Sequence, residues 1–250
     1  MRSRSKKRLV VLIGAMLVVL AVGRAQATST TYSFTGLCSG AGCTQNENAQ
    51  AVFVTGAGVL TVTINDLLNN PISDIQTISS LTFHVSSGLS GGTMISPTTT
   101  LVSLISNSAY TTASGASTWT LQDLTGGSYC LGSSACSNFH DHTIIGGDSA
   151  NGFIHAGNYT NANGSIINNN HDPFVESGIQ FNINIAGLTA NDTITSAVFN
   201  FGTQSGQTGT GTCTNCTTQT RVPEPSSMIL RGVGLIGVAA WGRGKVGRNS

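Results

Sequence analysis

The fold of this chain is decided by the stretch Ile179-Gln180-Phe181-Asn182-Ile183-Asn184-Ile185, in which apolar and polar side chains alternate. Successive side chains of a β-strand point to opposite faces of a sheet, so a period of two predicts a strand with one buried and one solvated face. The same alternation recurs at residues 60–64, 81–85 and 119–121, and it ends another run at residues 199–201. The sequence therefore predicts several strands of this half-buried kind.

No comparable window between residues 28 and 220 has an apolar stripe at helical spacing, and Gly, Asn, Pro and Ser interrupt the chain at short intervals. We therefore predict an all-β fold, an antiparallel β-sandwich or jelly-roll-like domain, over residues 28–203. A mature chain of about 190 residues can enclose one substantial core. Residues 204–220 are rich in Thr and Gly, a composition typical of a flexible stalk.

Charge is distributed very unevenly. All eleven Lys and Arg residues lie near the two chain ends, and residues 28–220 contain none. The same interval holds nine carboxylates, so its formal charge is 0 − 9 = −9 with His neutral. A body without cations cannot release counterions from phosphates, which excludes nucleic acid and anionic membrane surfaces as partners.

A buried carboxylate in such a body must be satisfied by backbone N–H groups, hydroxyls, His or a metal ion. Potential metal ligands are densest at His140, Asp141, His142, His171 and Asp172. His140 and His142 would share one face of a strand and suit zinc, whereas the carboxylates and nearby Asn carbonyls would suit calcium. The spacing matches no established metal signature, so solvated polar loops are the leading interpretation and no cofactor is expected, with bound calcium as the alternative.

Catalytic motifs are poorly formed. Gly147-Asp148-Ser149 is similar to the sequence around a serine-protease nucleophile, but Ala150-Asn151 follows where that family has two glycines of the oxyanion-hole turn. Residues 28–220 also contain no G-x-S-x-G elbow. We therefore do not expect an enzyme.

The start of the chain has the three parts of a secretory signal peptide: basic residues 2–8, the apolar run Leu9–Val22, and Ala25-Gln26-Ala27. Cleavage between Ala27 and Thr28 is expected, so that residues 1–27 are removed. The alternative is a retained anchor, for which about 14 apolar residues are short.

Six cysteines fall into three close pairs: Cys38 with Cys43, Cys130 with Cys136, and Cys213 with Cys216. Export favours disulfides, and the clustering favours three local loops among the 15 possible connectivities. The CxxC spacing of Cys213 and Cys216 also allows a redox centre or half a zinc site, but a Thr- and Gly-rich setting supports neither.

Near the end of the sequence, Pro223-Glu224-Pro225 precedes the short apolar run Met228–Trp241 and then Arg243, Lys245 and Arg248. This order over residues 221–250 resembles the PEP-CTERM sorting signal read by exosortases. Arg231 within the apolar run and the loose basic tail depart from the family pattern.

The resemblance implies that Pro223, Glu224 and Pro225 mark the recognition region, and that a short transmembrane helix and the basic tail are removed by exosortase. It also implies export from a Gram-negative bacterium, with transient anchoring in the inner membrane before arrival at the cell surface or extracellular matrix. The expected partners are the exosortase and the secretion machinery.

Three functions fit these features. The leading interpretation is a non-catalytic surface or matrix protein associated with exopolysaccharide or biofilm. The second is a carbohydrate- or calcium-binding module that uses Tyr110, Trp119, Tyr129 and Tyr159 as sugar-stacking rings, although Trp119 alternates like a core residue. The third is an extracellular hydrolase.

Overall fold

Strands dominate the computed structural model, as the alternation in the sequence predicts. The structure describes residues 27–106, 109–132, 136, 145–146, 159, 161–167, 173–204, 206–216 and 220–222. Its strands are β1 (Ala27–Leu37), β2 (Asn46–Thr55), β3 (Val59–Asp66), β4 (Ile78–Val85), β5 (Thr93–Met94), β6 (Thr98–Ser106), β7 (Ala109–Ala116), β8 (Thr120–Asp123), β9 (Ser128–Gly132), β10 (Ile145–Gly146), β11 (Phe174–Glu176), β12 (Gly178–Asn184), β13 (Ile194–Phe201), β14 (Thr208–Thr210), β15 (Thr212–Cys213) and β16 (Thr220–Val222).

The described strands form two sheets. The first has the order β15-β1-β2-β3-β12-β5, with β16 also on β1. The second has the order β14-β13-β4-β10-β11-β6-β7, with β9 on β4 and β8 on β9. Every pairing is antiparallel except that of β10 with β11. Two short helices, the 3₁₀ helix Asp74–Gln76 and α1 (Gly164–Ile167), complete the described elements.

The core lies between the inner faces of the two sheets. Ile179, Phe181 and Ile183 of β12 are at most 4% exposed, and the polar residues between them face outward. Aromatic rings join the sheets, since the Phe53 ring of the first sheet lies 5.2 Å from the Phe83 ring of the second. This arrangement confirms the predicted all-β class with sandwich-like sheets.

The structure corrects the predicted stalk. Within residues 204–220, β14 pairs with β13 of the second sheet and β15 pairs with β1 of the first. Gly209 is buried beneath the ring of Phe34, where an added Cβ would lie 2.7 Å from ring atoms. Gly209 therefore serves close packing, a role that composition alone does not distinguish from flexibility.

The three cysteine pairs are disulfides in the structure: Cys38–Cys43, Cys130–Cys136 and Cys213–Cys216. Their sequence separations are five, six and three residues, so each closes a short loop. Such small loops remove little conformational entropy from the unfolded chain. The disulfides therefore fix turns, while the sheets hold the domain together.

The side chain of Glu47 lies on the inner face of β2 and has no exposed surface. Its Oε2 accepts a hydrogen bond from the Cys38 N–H at 3.0 Å, and its Oε1 has no hydrogen-bond partner among the described residues. Burial raises the pKa of Glu47 to about 7, against the opposing effect of backbone hydrogen bonds from Cys38 and Glu47. The side chain is thus close to half protonated at neutral pH.

Truncation of the central ring should test the sandwich core. We expect Phe181→Ala to lower the free energy of unfolding by about 3–5 kcal/mol, because it removes a fully buried ring and leaves a cavity. The neighbouring change Gln180→Ala, on the exposed face of the same strand, should alter it by less than about 0.5 kcal/mol. Chemical denaturation of both variants measures the two changes in the free energy of unfolding. Equal changes would contradict the assignment of Phe181 to the core.

Glu47 should make the stability of the domain depend on pH. Its pKa is raised from 4.5 in the unfolded reference to about 7 in the folded protein, so the folded state holds the proton more tightly. The free energy of unfolding should therefore fall by about 1–3 kcal/mol as pH rises from 4.5 to 7, and then level off. Glu47→Gln should remove this fall, as measured by urea denaturation at several pH values.

Asp123→Asn provides the control, because it removes a charge from an exposed carboxylate and should leave the pH slope in place. A slope that persists unchanged in the Glu47→Gln protein would assign the effect to another group.

Candidate functional site

The two ends of the described domain meet along one edge of β1. β16 pairs Val222 with Ala27, Arg221 with Thr28, and Thr220 with Ser29. β15 pairs with the same edge further along, at Tyr32 and Ser33. The described residues 212–216 and 220–222, which we call the C-terminal edge segment, thus lie along β1. Arg221 of this segment pairs with the expected first mature residue, Thr28. The Pro-Glu-Pro sequence follows directly after this segment.

Asn215 holds the C-terminal edge segment to β1 between its two strands. Its Oδ1 accepts a hydrogen bond from the Thr31 N–H at 2.6 Å, and its Nδ2 donates to the Ser29 carbonyl at 3.5 Å. The N–H of Thr214 donates to the Thr31 carbonyl at 3.0 Å. With the Cys213–Cys216 disulfide closing this turn, the edge of β1 is covered by the chain itself.

Thr28 is fixed on its other side by side-chain hydrogen bonds. Its Oγ1 donates to the Ala190 carbonyl at 2.5 Å, and Thr55 Oγ1 donates to the Asp192 carbonyl at 2.9 Å. Burial raises the pKa of the Asp192 carboxyl, but hydrogen bonds from Thr189 and Ser87 outweigh it and leave the pKa below its usual range. The Asp192 carboxyl, in the turn that receives the start of β1, is therefore ionised at neutral pH.

A cavity of about 270 Å³ lies next to this strand, between residues 28–32, residues 193–195 and the turn at Asn215-Cys216. Hydroxyl and amide groups line it, together with Tyr32, whose hydroxyl donates to the Ile194 carbonyl at 3.0 Å. Burial raises the pKa of Tyr32, so its hydroxyl keeps its proton. None of the lining residues is charged, which gives the cavity no acid–base pair for catalysis.

A second surface with functional potential is the outward face of the first sheet, which we call the outer face. Its described side chains come from alternate positions of β1, β2, β3 and β12, and none of them is charged: Ser29, Thr31, Ser33, Thr35, Asn48, Gln50, Val52, Val54, Val59, Thr61, Thr63, Asn65, Gln180, Asn182 and Asn184.

The pairing register aligns the outer face in rows across the sheet. Thr31, Val52, Thr63 and Gln180 are successive neighbours in one row. In the next row, Thr61 Oγ1 donates to Asn182 Oδ1 at 3.0 Å. The carboxylates of β2 and β3, Glu47 and Asp66, point to the inner face instead. The sequence signal for this surface was the run of Thr, Asn and Gln at the polar positions of each strand.

The predicted metal ligands His140, Asp141, His142, His171 and Asp172 lie outside the described residues. The same holds for Ala25, for Pro223, Glu224 and Pro225, for the apolar run after them, and for Arg243, Lys245 and Arg248. Within the part of the chain that the structure describes, no three His, Cys, Asp or Glu residues cluster in a way that could hold a metal ion. The metal and sorting sites therefore stay predictions from sequence.

Three of the four rings proposed for sugar stacking are buried. Trp119 and Tyr129 have no exposed surface and Tyr159 is 1% exposed, whereas Tyr110 is 38% exposed. Trp119 stacks on Phe181 in the core with ring centroids 5.5 Å apart, as its alternation with polar neighbours indicated. The hypothesis that these four rings together form a carbohydrate-binding platform is therefore wrong.

Residues 221–243 match the family model of the PEP-CTERM protein-sorting motif. The match begins at Arg221, inside β16, and so overlaps the C-terminal edge segment. No curated protein and no solved structure matches the chain. No helix within the described residues has the length and hydropathy needed to cross a membrane.

The motif match and the predicted order of Pro-Glu-Pro, apolar run and basic residues agree over the same part of the sequence. An exosortase is the processing partner that this motif implies. The chain thus carries a PEP-CTERM sorting motif, which implies an exported exosortase substrate that is sorted through the membrane to the cell surface.

Proposed function

We propose that this protein is a non-catalytic component of the cell surface or extracellular matrix of a Gram-negative bacterium, where it associates with exopolysaccharide during biofilm or envelope assembly. The observation that supports this proposal is the outer face, an uncharged sheet surface on which hydroxyl and amide side chains outnumber three valines. Such a surface offers both hydrogen-bond donors and acceptors, which are the groups that neutral sugar hydroxyls require.

The outer face also has a regular spacing. Neighbouring strands of a sheet lie about 4.8 Å apart, and outward side chains repeat about every 6.8 Å along each strand. A repeating polymer can therefore make many similar weak contacts at once, and linked weak contacts reinforce one another. On β12, the side chains of Gln180 and Asn182 are exposed to solvent and accessible to such a polymer.

Delivery to the surface would use the two chain ends. The extended residues 220–222 pair with the start of β1, and the Pro-Glu-Pro sequence follows them directly in the chain. After removal of the apolar run and basic tail by the exosortase, this pairing would keep the new C-terminus attached to the domain.

The outer face can be tested with a column of neutral polysaccharide. We expect the mature protein to be retained, and the triple variant Thr63→Ala, Gln180→Ala and Asn182→Ala to bind at least about tenfold more weakly, since each loses side-chain hydrogen bonds of about 0.5–1.5 kcal/mol. The matched control is Asn191→Ala, Ser196→Ala and Thr210→Ala, three exposed polar residues away from the outer face. Passage of the unmodified protein through the column without delay would contradict the proposal.

Processing can be read from the intact mass of the protein recovered with and without the exosortase of the same host. We expect a chain that starts at Thr28 in both strains and ends near Pro223-Glu224-Pro225 only when the exosortase is present. Replacement of these three residues by Ala should abolish the shortening, whereas Ser226→Ala with Ser227→Ala should preserve it. An uncut C-terminus in both strains would leave a membrane-tethered protein instead.

A further inference from the structure

β7 forms the end of the second sheet and is unusually exposed. It pairs with β6 from Ala109 to Ala116, and no other described strand pairs with it. The four consecutive residues Thr111–Ser114 are all exposed. Successive side chains of a strand point to opposite faces of the sheet, so both faces of β7 are exposed here. This part of β7 therefore stands clear of the described core on both faces.

Natural sheets protect their edges with short strands, charges, proline or bulges. β7 has eight residues, and residues 109–116 contain no charged residue and no proline. The other described strands at the ends of the two sheets, β5, β8, β14, β15 and β16, have two to four residues each. Among the described edges, β7 is thus the long one. The register shift in its pairing with β6, between Leu104 and Ser106, lies opposite Ala109 and Tyr110, so residues 110–116 form a regular edge without charge, proline or bulge.

We propose that β7 is a self-association edge, at which two copies of this protein pair their β7 strands in antiparallel orientation about a two-fold axis. Two identical strands related in this way are self-complementary, because each residue that contacts a position on the partner is contacted by its equivalent in return.

The charge distribution favours a second copy as the occupant. Residues 75–122 contain no Asp, Glu, Lys or Arg, whereas residues 28–220 carry nine carboxylates and no cation. Two copies repel each other over most orientations, but they can meet at their β6–β7 hairpins without bringing like charges together. A strongly charged partner would find no ion pair on this hairpin.

The contact is a weak one. A single pair of eight-residue strands buries far less than the roughly 800 Å² per partner of a standard stable interface. Association should therefore depend on concentration, and it should matter most where many copies are held together.

Analytical ultracentrifugation of the mature protein, from micromolar to millimolar concentration, tests the proposal. We expect a monomer–dimer equilibrium that Thr112→Lys with Ala113→Lys weakens at least about tenfold, and that Thr112→Glu with Ala113→Glu weakens similarly, since like charges opposite each other disfavour strand pairing. An equimolar mixture of the Lys and Glu variants should associate again, because opposite charges then face each other. Thr63→Lys, on an inner strand of the first sheet, should leave association unchanged.

Thermal unfolding shows whether the β7 variants remain folded, and we expect no change because Thr112 and Ala113 are exposed. Hydrogen exchange of the unmodified protein gives a measurement that needs no variant: the amides of residues 109–116 should become more protected as concentration rises. The proposal would be overturned by any of three results. These are a protein that stays monomeric at all concentrations, an equimolar mixture of the Lys and Glu variants that does not associate, and exchange of the β7 amides that does not change with concentration.

Discussion

The absence of Lys and Arg from residues 28–220 is the constraint on which the rest of this structure depends. No buried carboxylate can be neutralised by a basic side chain, and each must be accommodated in another way. Asp192 stays ionised because Thr189 and Ser87 donate hydrogen bonds to it. Burial of Glu47 instead outweighs its backbone hydrogen bonds from Cys38 and Glu47, so the side chain holds its proton up to about pH 7. The same shortage leaves the sheet surfaces dependent on hydroxyl and amide groups.

Stability comes from aromatic packing between two sheets rather than from electrostatic pairs or long disulfide loops. Phe53 and Phe83 join the sheets near the centre, and Phe34 packs on Phe201 with ring centroids 5.5 Å apart. Aromatic residues also explain two glycines that precede the C-terminal edge segment. Gly209 lies under the ring of Phe34, and an added Cβ at Gly211 would come within 3.1 Å of Tyr32 and Phe199. Close packing thus joins the end of the domain to its beginning.

This junction links the fold to sorting. The motif match starts within β16, whose partner is the expected first mature residue and its neighbours. The expected signal cleavage site and the first residues of the motif match are therefore adjacent on one sheet edge. The outer face and β7 are two further uncharged surfaces of this acidic protein, and their locations on different sheets allow a polymer and a second copy to be bound independently.

The sequence by itself determined the strand class, the inward positions of β12, the three cysteine pairs and the sorting motif, because each depends on periodicity, proximity or local order along the chain. It did not determine that residues 208–210 and 212–213 form strands. A composition rich in Thr and Gly is common to flexible stalks and to closely packed strands at the edge of a sheet. Nor could the sequence show that Tyr129 and Tyr159 are buried, or that Asn215 binds the edge of β1. Those properties depend on which strands become neighbours, and pairing between residues as distant as Ala27 and Val222 is decided only by the tertiary structure.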